Sequence, residues 1–184
     1  MRRLALRRVV LRSLARVAAG TVFAAVIVAV LGAVLGAGIA AAQDEARPLP
    51  RFASLDSNEV NMRAGPGTDY RILWVYQRKG LPVEIIEEFD TWRRVRDRDG
   101  DVGWVQQGLL SGKRTALILD EPRTIRAEPA GGAKAVAILN PGVVARITEC
   151  LDNDWCRLDV QGKRGWLRRD EFFGTYPEEA FESD

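Results

Sequence analysis

Few side chains in this sequence could do covalent or acid–base chemistry. No histidine occurs among the 184 residues. That excludes Ser–His and Cys–His nucleophilic catalysis and every histidine-ligated zinc or haem site. Two cysteines, Cys150 and Cys156, are too few for a four-cysteine zinc or iron–sulfur site. The expectation is therefore no enzyme, no metal and no cofactor, but a protein that acts by shape and contact. The residues best suited to touch a ligand are Asp69 and Tyr70, which follow Gly65-Pro66-Gly67 in a long loop. A carboxylate beside an aromatic ring suits a peptide amine and its apolar stem. Covering its own loop is the bland role open to Tyr70.

The elements around these residues begin with the leader. Residues 1–42 hold six arginines and no acid, and Val17–Ala42 carries no charge at all. The apolar run ends Ala40-Ala41-Ala42 before Gln43-Asp44-Glu45, so it reads as a signal peptide with a small-residue cleavage site. An uncleaved signal anchor is the alternative, since about 20 apolar residues can span a bilayer. Arg7-Arg8-Val9-Val10-Leu11-Arg12 resembles a twin-arginine signal, with Leu6 and Val10 at unusual positions. Either way the protein is expected to be periplasmic or otherwise exported, or held at the inner membrane by its N-terminal segment alone. Although the whole chain has a net charge of +2, residues 43–184 carry 21 basic and 25 acidic side chains. Such a product lacks the basic field that nucleic acid requires. An oxidising compartment also favours pairing Cys150 with Cys156 across a polar turn. Closing so short a loop stabilises by roughly 2 kcal/mol. A redox role fits poorly, because five residues separate the cysteines and no βαβ pattern surrounds them.

After a Pro-containing linker (43–51), short β-branched runs alternate with Gly, Pro, Asp and Asn clusters, which predicts an all-β fold. Strands are expected over 59–63, 72–76, 83–88, 92–96 and 102–105. A second series covers 116–119, 124–126, 135–139, 143–148, 155–158 and 164–167. The two series are one unit written twice at offsets of 62 to 63 residues. Asn61-Met62-Arg63-Ala64-Gly65-Pro66 aligns with Thr124-Ile125-Arg126-Ala127-Glu128-Pro129. Trp92-Arg93-Arg94-Val95 aligns with Trp155-Cys156-Arg157-Leu158, and Gly103-Trp104-Val105 with Gly165-Trp166-Leu167. The boundaries that follow are 52–112 and 113–174, with an acidic tail at 175–184. In each copy a Trp and an aliphatic residue stand three apart in one strand, which period-2 alternation puts on opposite faces. Either a bulge realigns them or the Trp covers a second surface. Trp104 and Trp166 read as core residues, and Trp92 and Trp155 as half-exposed. Glu84, Glu87, Glu88 and Asp90 face Arg93, Arg94, Arg96 and Arg98 as cross-strand surface pairs. Glu178, Glu179, Glu182 and Asp184 read as a solvated, frayed end.

The run from Asn61 to Tyr70, then Lys79-Gly80, Trp92-Arg93-Arg94-Val95 and Gly103-Trp104-Val105, resembles the bacterial SH3-like domain. The first copy carries nearly the whole pattern. The second lacks the Asn, the first Gly and the aromatic residue, and has Ala130-Gly131-Gly132-Ala133 where the first has its loop tip. The resemblance implies two tandem, strongly bent barrels of five or six strands in an exported protein. It implies binding of peptidoglycan peptides or of other envelope proteins, in a family whose members are often appended to amidases or endopeptidases. The candidate ligand-binding residues are Asn61, Arg63, Asp69, Tyr70 and Trp92, with the groove in the first copy. Arg63 also suits a structural role, pairing with a carboxylate or capping exposed carbonyls. The leading expectation is a non-catalytic module for peptidoglycan or its peptide fragments. A scaffold that binds another envelope protein is the alternative.

Overall fold

The computed structural model describes residues 47–182. The expected leader or anchor helix, the cleavage after Ala42, residues 43–46 of the linker and Asp184 lie outside the described residues. The first copy comprises β1 (Arg51–Leu55), β2 (Val60–Arg63), β3 (Ile72–Tyr76), β4 (Pro82–Phe89), β5 (Trp92–Arg96), β6 (Val102–Gln106) and β7 (Leu110–Ser111). The second comprises β8 (Thr115–Ile118), β9 (Arg123–Arg126), β10 (Ala135–Leu139), β11 (Val144–Cys150), β12 (Trp155–Val160), β13 (Lys163–Arg168) and β14 (Phe172–Phe173). The tail adds β15 (Phe181–Glu182). Among the described residues there is no α-helix, only one short 3-10 turn before β7 and another before β14.

The two copies form separate antiparallel sheets of the same topology. Strand order is β3-β2-β6-β5-β4-β1-β7 in one and β10-β9-β13-β12-β11-β8-β14 in the other, with β15 on β11. Both paths are open, with β3 and β10 at corresponding edges. Even the irregularities repeat. A bulge interrupts β4 between Ile85 and Glu87, and another interrupts β11 between Ile147 and Glu149. Leu73 and Val136 are skipped in the same way on the edge strands. Each copy has its own core. Leu55, Met62, Tyr76, Ile85, Val95 and Val105 fill the first, and Ile118, Ile125, Leu139, Ile147, Leu158 and Leu167 hold the matching positions in the second. Full burial of such a side chain contributes about 1.5–3 kcal/mol, so these twelve residues dominate the stability of both sheets.

All the expected strands are present, within two residues at each end. Four others are new: β1, β7, β14 and β15. From Phe52 to Leu55 every residue of β1 is buried, so the strand shows no polar alternation to read. The remaining three have two residues each, too short for any periodicity.

Three sequence expectations about side chains change. Trp104 and Trp166 are half-buried and belong to neither core. The reason lies in the glycine before each. A Cβ on Gly103 would stand 2.9 Å from the Arg63 carbonyl, and one on Gly165 would stand 3.0 Å from that of Arg126. The inner face at these positions admits only glycine. Alternation then sends Val105 and Leu167 inward and both tryptophans outward. Trp92 differs the other way, being buried instead of half-exposed. The β5–β6 register runs unbroken from Trp92 opposite Gln106 to Arg96 opposite Val102. Trp92 therefore stands on the opposite face from Val95 and covers a second surface. Trp155 is half-buried in the corresponding place.

The tail is the third change: residues 176–181 are docked, not frayed. Glu179 accepts hydrogen bonds from both terminal nitrogens of Arg114, with Nη2 to Oε2 at 2.8 Å, and also from the Tyr176 N–H at 3.2 Å. Arg169, 6% exposed, donates to the carbonyls of Tyr176, Glu179 and Leu151. Phe181 then pairs with Cys150 in the sheet. The two arginines, each some distance upstream, are what turn an acidic stretch into a strap. Glu178 remains exposed, as expected.

That strap also joins the copies. The Tyr176 hydroxyl donates to Glu84 Oε1 at 2.8 Å, and Phe52 packs edge-on against Phe173 with centroids 5.2 Å apart. The Thr115 hydroxyl donates to the Gly80 carbonyl at 2.8 Å, and Arg78 donates to that of Gly142. The disulfide links Cys150 and Cys156, which face each other in the β11–β12 register and tie the base of that hairpin.

Candidate functional site

The loop between β2 and β3 is built on its own backbone. The Ala64 N–H donates to the Arg71 carbonyl at 3.0 Å, and the Gly67 N–H donates to that of Gly65 at 3.0 Å. Arg63 Nη1 then reaches across and donates to the carbonyls of Thr68 and Tyr70, both at 2.8 Å. One guanidinium thus satisfies two loop acceptors that would otherwise rely on water. Arg63 is the capping group, and among the described residues no carboxylate pairs with it. Tyr70 lays its ring over Gly65 and Gly67, and a Cβ on Gly65 would run into that ring. The tyrosine both covers the loop and keeps half its surface, 50%, in solvent. Asp69 is exposed beside it at the loop tip.

The second copy repeats this scaffold without the contact residues. Its Ala127 N–H donates to the Lys134 carbonyl at 2.9 Å, and Arg126 Nη1 caps that of Ala133 at 3.0 Å. Glu128 occupies the place of Gly65, which is possible because no aromatic ring lies over it. Since the arginine cap is common to both copies, it serves the loop and not a particular ligand. What sets the first copy apart is the exposed Asp69–Tyr70 pair.

Register extends the surface across the sheet. Arg63 lies opposite Ile72 on one side and Trp104 on the other, Trp104 lies opposite Arg94, and Arg94 lies opposite Glu87. Directly paired residues share a face. One outer row therefore runs Ile72, Arg63, Trp104, Arg94, Glu87 over five strands. Asn61 joins it two residues along β2, opposite Val75. Trp92 is on the same face of β5 as Arg94, but it is buried and three strands from β3 in the ladder order. The fold thus brings Asn61, Arg63 and Tyr70 into one neighbourhood and leaves Trp92 apart from them. Sequence reasoning missed Trp104, Arg94 and the exposed strand Ile72–Val75. The glycine before Trp104, taken with strict alternation, is the signal that would have found the first.

On the other side of β3 is a shallow pocket of about 250 Å³ that Trp74, Tyr76, Asp99 and Asp101 help to line. The Tyr76 hydroxyl donates to Asp97 Oδ2 at 2.9 Å, while Asp97 Oδ1 accepts the N–H groups of Asp99 and Asp101, each at 3.0 Å. Burial first, and this bond to Asp97 second, push the Tyr76 phenol well above its usual range, so it stays a neutral donor. Three of the expected cross-strand ion pairs form close by: Glu84–Arg96, Glu87–Arg94 at 3.0 Å and Glu88–Arg93 at 2.9 Å, with Glu84 buried and not at the surface as expected. Arg98 turns instead to Asp99 and Asp120.

Comparison with known proteins decides what this surface belongs to. The family described as "Bacterial SH3 domain" matches residues 56–112 and again 120–174, which together exceed half of the chain. The chain belongs to the bacterial SH3 domain family. Each matched span of this SH3 pair falls within one sheet, leaving out only its first strand, β1 or β8, and the tail strand β15. A curated relative, the proposed N-acetylmuramoyl-L-alanine amidase YrvJ of Bacillus subtilis (strain 168), is 24% identical over 140 residues. The match takes in 70% of this chain and 25% of that protein, so the SH3 pair corresponds to about a quarter of the relative's length. Among solved structures, NlpC2 of Trichomonas vaginalis aligns with a TM-score of 0.32 at 14% identity, covering 68% of this chain and 48% of its own. An NlpC/P60 family protein from Bacillus cereus ATCC 10987 aligns with a TM-score of 0.31 at 10% identity, covering 66% and 55%.

Proposed function

We infer that this protein is an exported, non-catalytic module that recognises peptidoglycan or its peptide fragments through its first SH3 copy. The observation that carries this reading is family membership over both copies, taken with the likeness to a proposed muramoyl-alanine amidase. The leader supports export, and the lack of histidine supports a role without catalysis. In this reading each sheet curls into a small SH3-like barrel. The first barrel presents Asp69, Tyr70, Asn61 and Trp104 to the ligand, with Arg63 holding the loop in place and Asp69 set to pair with a peptide amine. The second barrel, with Ala130–Ala133 at its loop tip, braces the first.

Retention of the purified protein on isolated sacculi tests the reading. Wild type is expected to be retained, and Asp69→Ala/Tyr70→Ala to be retained several-fold less. Equal retention of the double variant would remove the site, and no retention of wild type would remove the ligand. One observation favours a second reading, an envelope scaffold that binds a protein. Ile72, Leu73, Trp74 and Val75 are all exposed on a strand at the sheet edge, where main-chain groups are open to pairing with another chain. Co-purification of a stoichiometric protein partner without sacculus binding would select that reading.

A further inference from the structure

A cleft of about 500 Å³ opens where β1, the segment after β7 and the tail strap meet, and four arginines line it: Arg47, Arg51, Arg93 and Arg114. Among the described residues only two carboxylates answer them. Glu88 is shared between Arg51 and Arg93, and Glu179 is taken by Arg114. Arg47, exposed, has no carboxylate partner among the described residues and lies against Gly112, 3.5 Å from where a Cβ would stand there. Its carbonyl accepts from Arg51 Nη1 at 3.2 Å, which ties this stretch to the cleft edge. Among the described residues the site thus holds two more positive charges than negative ones. Its walls are partly aromatic: the Arg114 guanidinium lies 5.6 Å from the Phe52 ring centroid and 4.7 Å from that of Phe181.

Arg93 spends its nitrogens on Glu88, Gln107 and the Asp90 and Trp92 carbonyls, and Arg114 spends its own on Glu179 and the Gly174 carbonyl. That leaves Arg47, and Arg51 with its half-share of Glu88, to face the walled space, and guanidinium forks bind carboxylates in bidentate fashion. Apolar walls favour an organic anion over a bare inorganic one, because they offer burial to its carbon skeleton and strengthen charge pairing beside it. We propose that this cleft is a second binding site, distinct from the Asp69–Tyr70 surface, for a short peptide bearing two free carboxylates. Arg47 is the reporter of that site, since its charge is not used within the described fold.

Isothermal titration of the purified protein with the dipeptide Ala-Glu tests the proposal, with its diamide and inorganic phosphate as comparisons. The expected result is binding of the diacid that is lost with the diamide and at least about tenfold weaker for phosphate. Arg47→Ala should weaken diacid binding about tenfold with an unchanged melting temperature, and Arg47→Lys should fall between, keeping charge but not the fork. No diacid binding, equal binding of diamide or phosphate, or an unaltered affinity in Arg47→Ala would each overturn it. The result is separable from the wall-binding reading. Loss of sacculus retention in Asp69→Ala/Tyr70→Ala, with no diacid affinity, removes only the cleft. Diacid binding without sacculus retention removes only the wall.

Discussion

Replacing Glu179 by Gln should unfasten the tail strap while leaving its shape. The carboxylate takes two nitrogens of Arg114 and the Tyr176 N–H; the amide keeps one acceptor and loses the charge. Hydrogen bonds to charged groups contribute about 1.5–3 kcal/mol each. The two side chains are 15% and 26% exposed, so solvent screening reduces this, and we expect a net loss of about 1–2 kcal/mol. For a folded unit of this size that corresponds to roughly 3–7 °C in melting temperature. The pH dependence gives a sharper test. Burial alone would raise the Glu179 pKa, but the Arg114 bond and charge, the Tyr176 N–H and the Arg169 charge together hold it below the usual carboxylate range. A folded pKa below the unfolded one means stability that is present above about pH 5 and is lost as pH falls through the folded value. Wild type should therefore lose stability more steeply between about pH 5 and 3 than Glu179→Gln. Asp56 and Asp159, lowered by their bonds to Lys79 and Arg164, titrate in both proteins and cancel in the difference. Thermal melts by circular dichroism from pH 3 to 8 supply the data. Parallel profiles with melting temperatures within about 1 °C would refute the docked strap.

Three other outcomes follow from the packing. Gly103→Ala places a methyl group against Met62 and the Arg63 carbonyl and should cost about 3 kcal/mol in denaturant melts; Gly108→Ala, with open space around it, should be nearly neutral. Intact mass of the oxidised protein should be two hydrogens below the reduced mass. Its Cys150→Ala/Cys156→Ala variant should be less stable by at least about 2 kcal/mol, since the hairpin loses its tie and the second core loses two buried sulfurs. Tyr76→Phe should cost about 1 kcal/mol through the lost Asp97 bond, and an ultraviolet titration of wild type should show two tyrosines, Tyr76 and Tyr176, that ionise only well above the usual phenol range, both raised first by burial and then by a bond to a carboxylate.

What the sequence made legible was whatever repeats or alternates. The two copies, eleven of their strands and the cross-strand pairs at Glu84, Glu87 and Glu88 could be read because period-2 patterns and a 62–63 residue offset leave local marks. The arginine at the start of the loop was legible for the same reason, since both copies carry it, but nothing in its local pattern says whether it caps carbonyls or pairs with a carboxylate. Long-range relations left no such mark. Nothing near Glu179 announces that Arg114, 65 positions earlier, will hold it, or that Tyr176 will reach Glu84, 92 positions away. The tryptophans were misplaced because hydrophobicity was weighed ahead of alternation. A buried glycine fixes which face of β6 is inward, and Trp104 takes the other.

The wall-binding account turns on one copy and one loop, and a nitrogen-15 NMR titration of the protein with soluble peptidoglycan stem peptides at millimolar concentration tests it most directly. The account predicts saturable shifts at Asp69, Tyr70 and the Trp104 indole, with Ala130–Ala133 silent. Shifts centred on the second copy, or none anywhere, would contradict it.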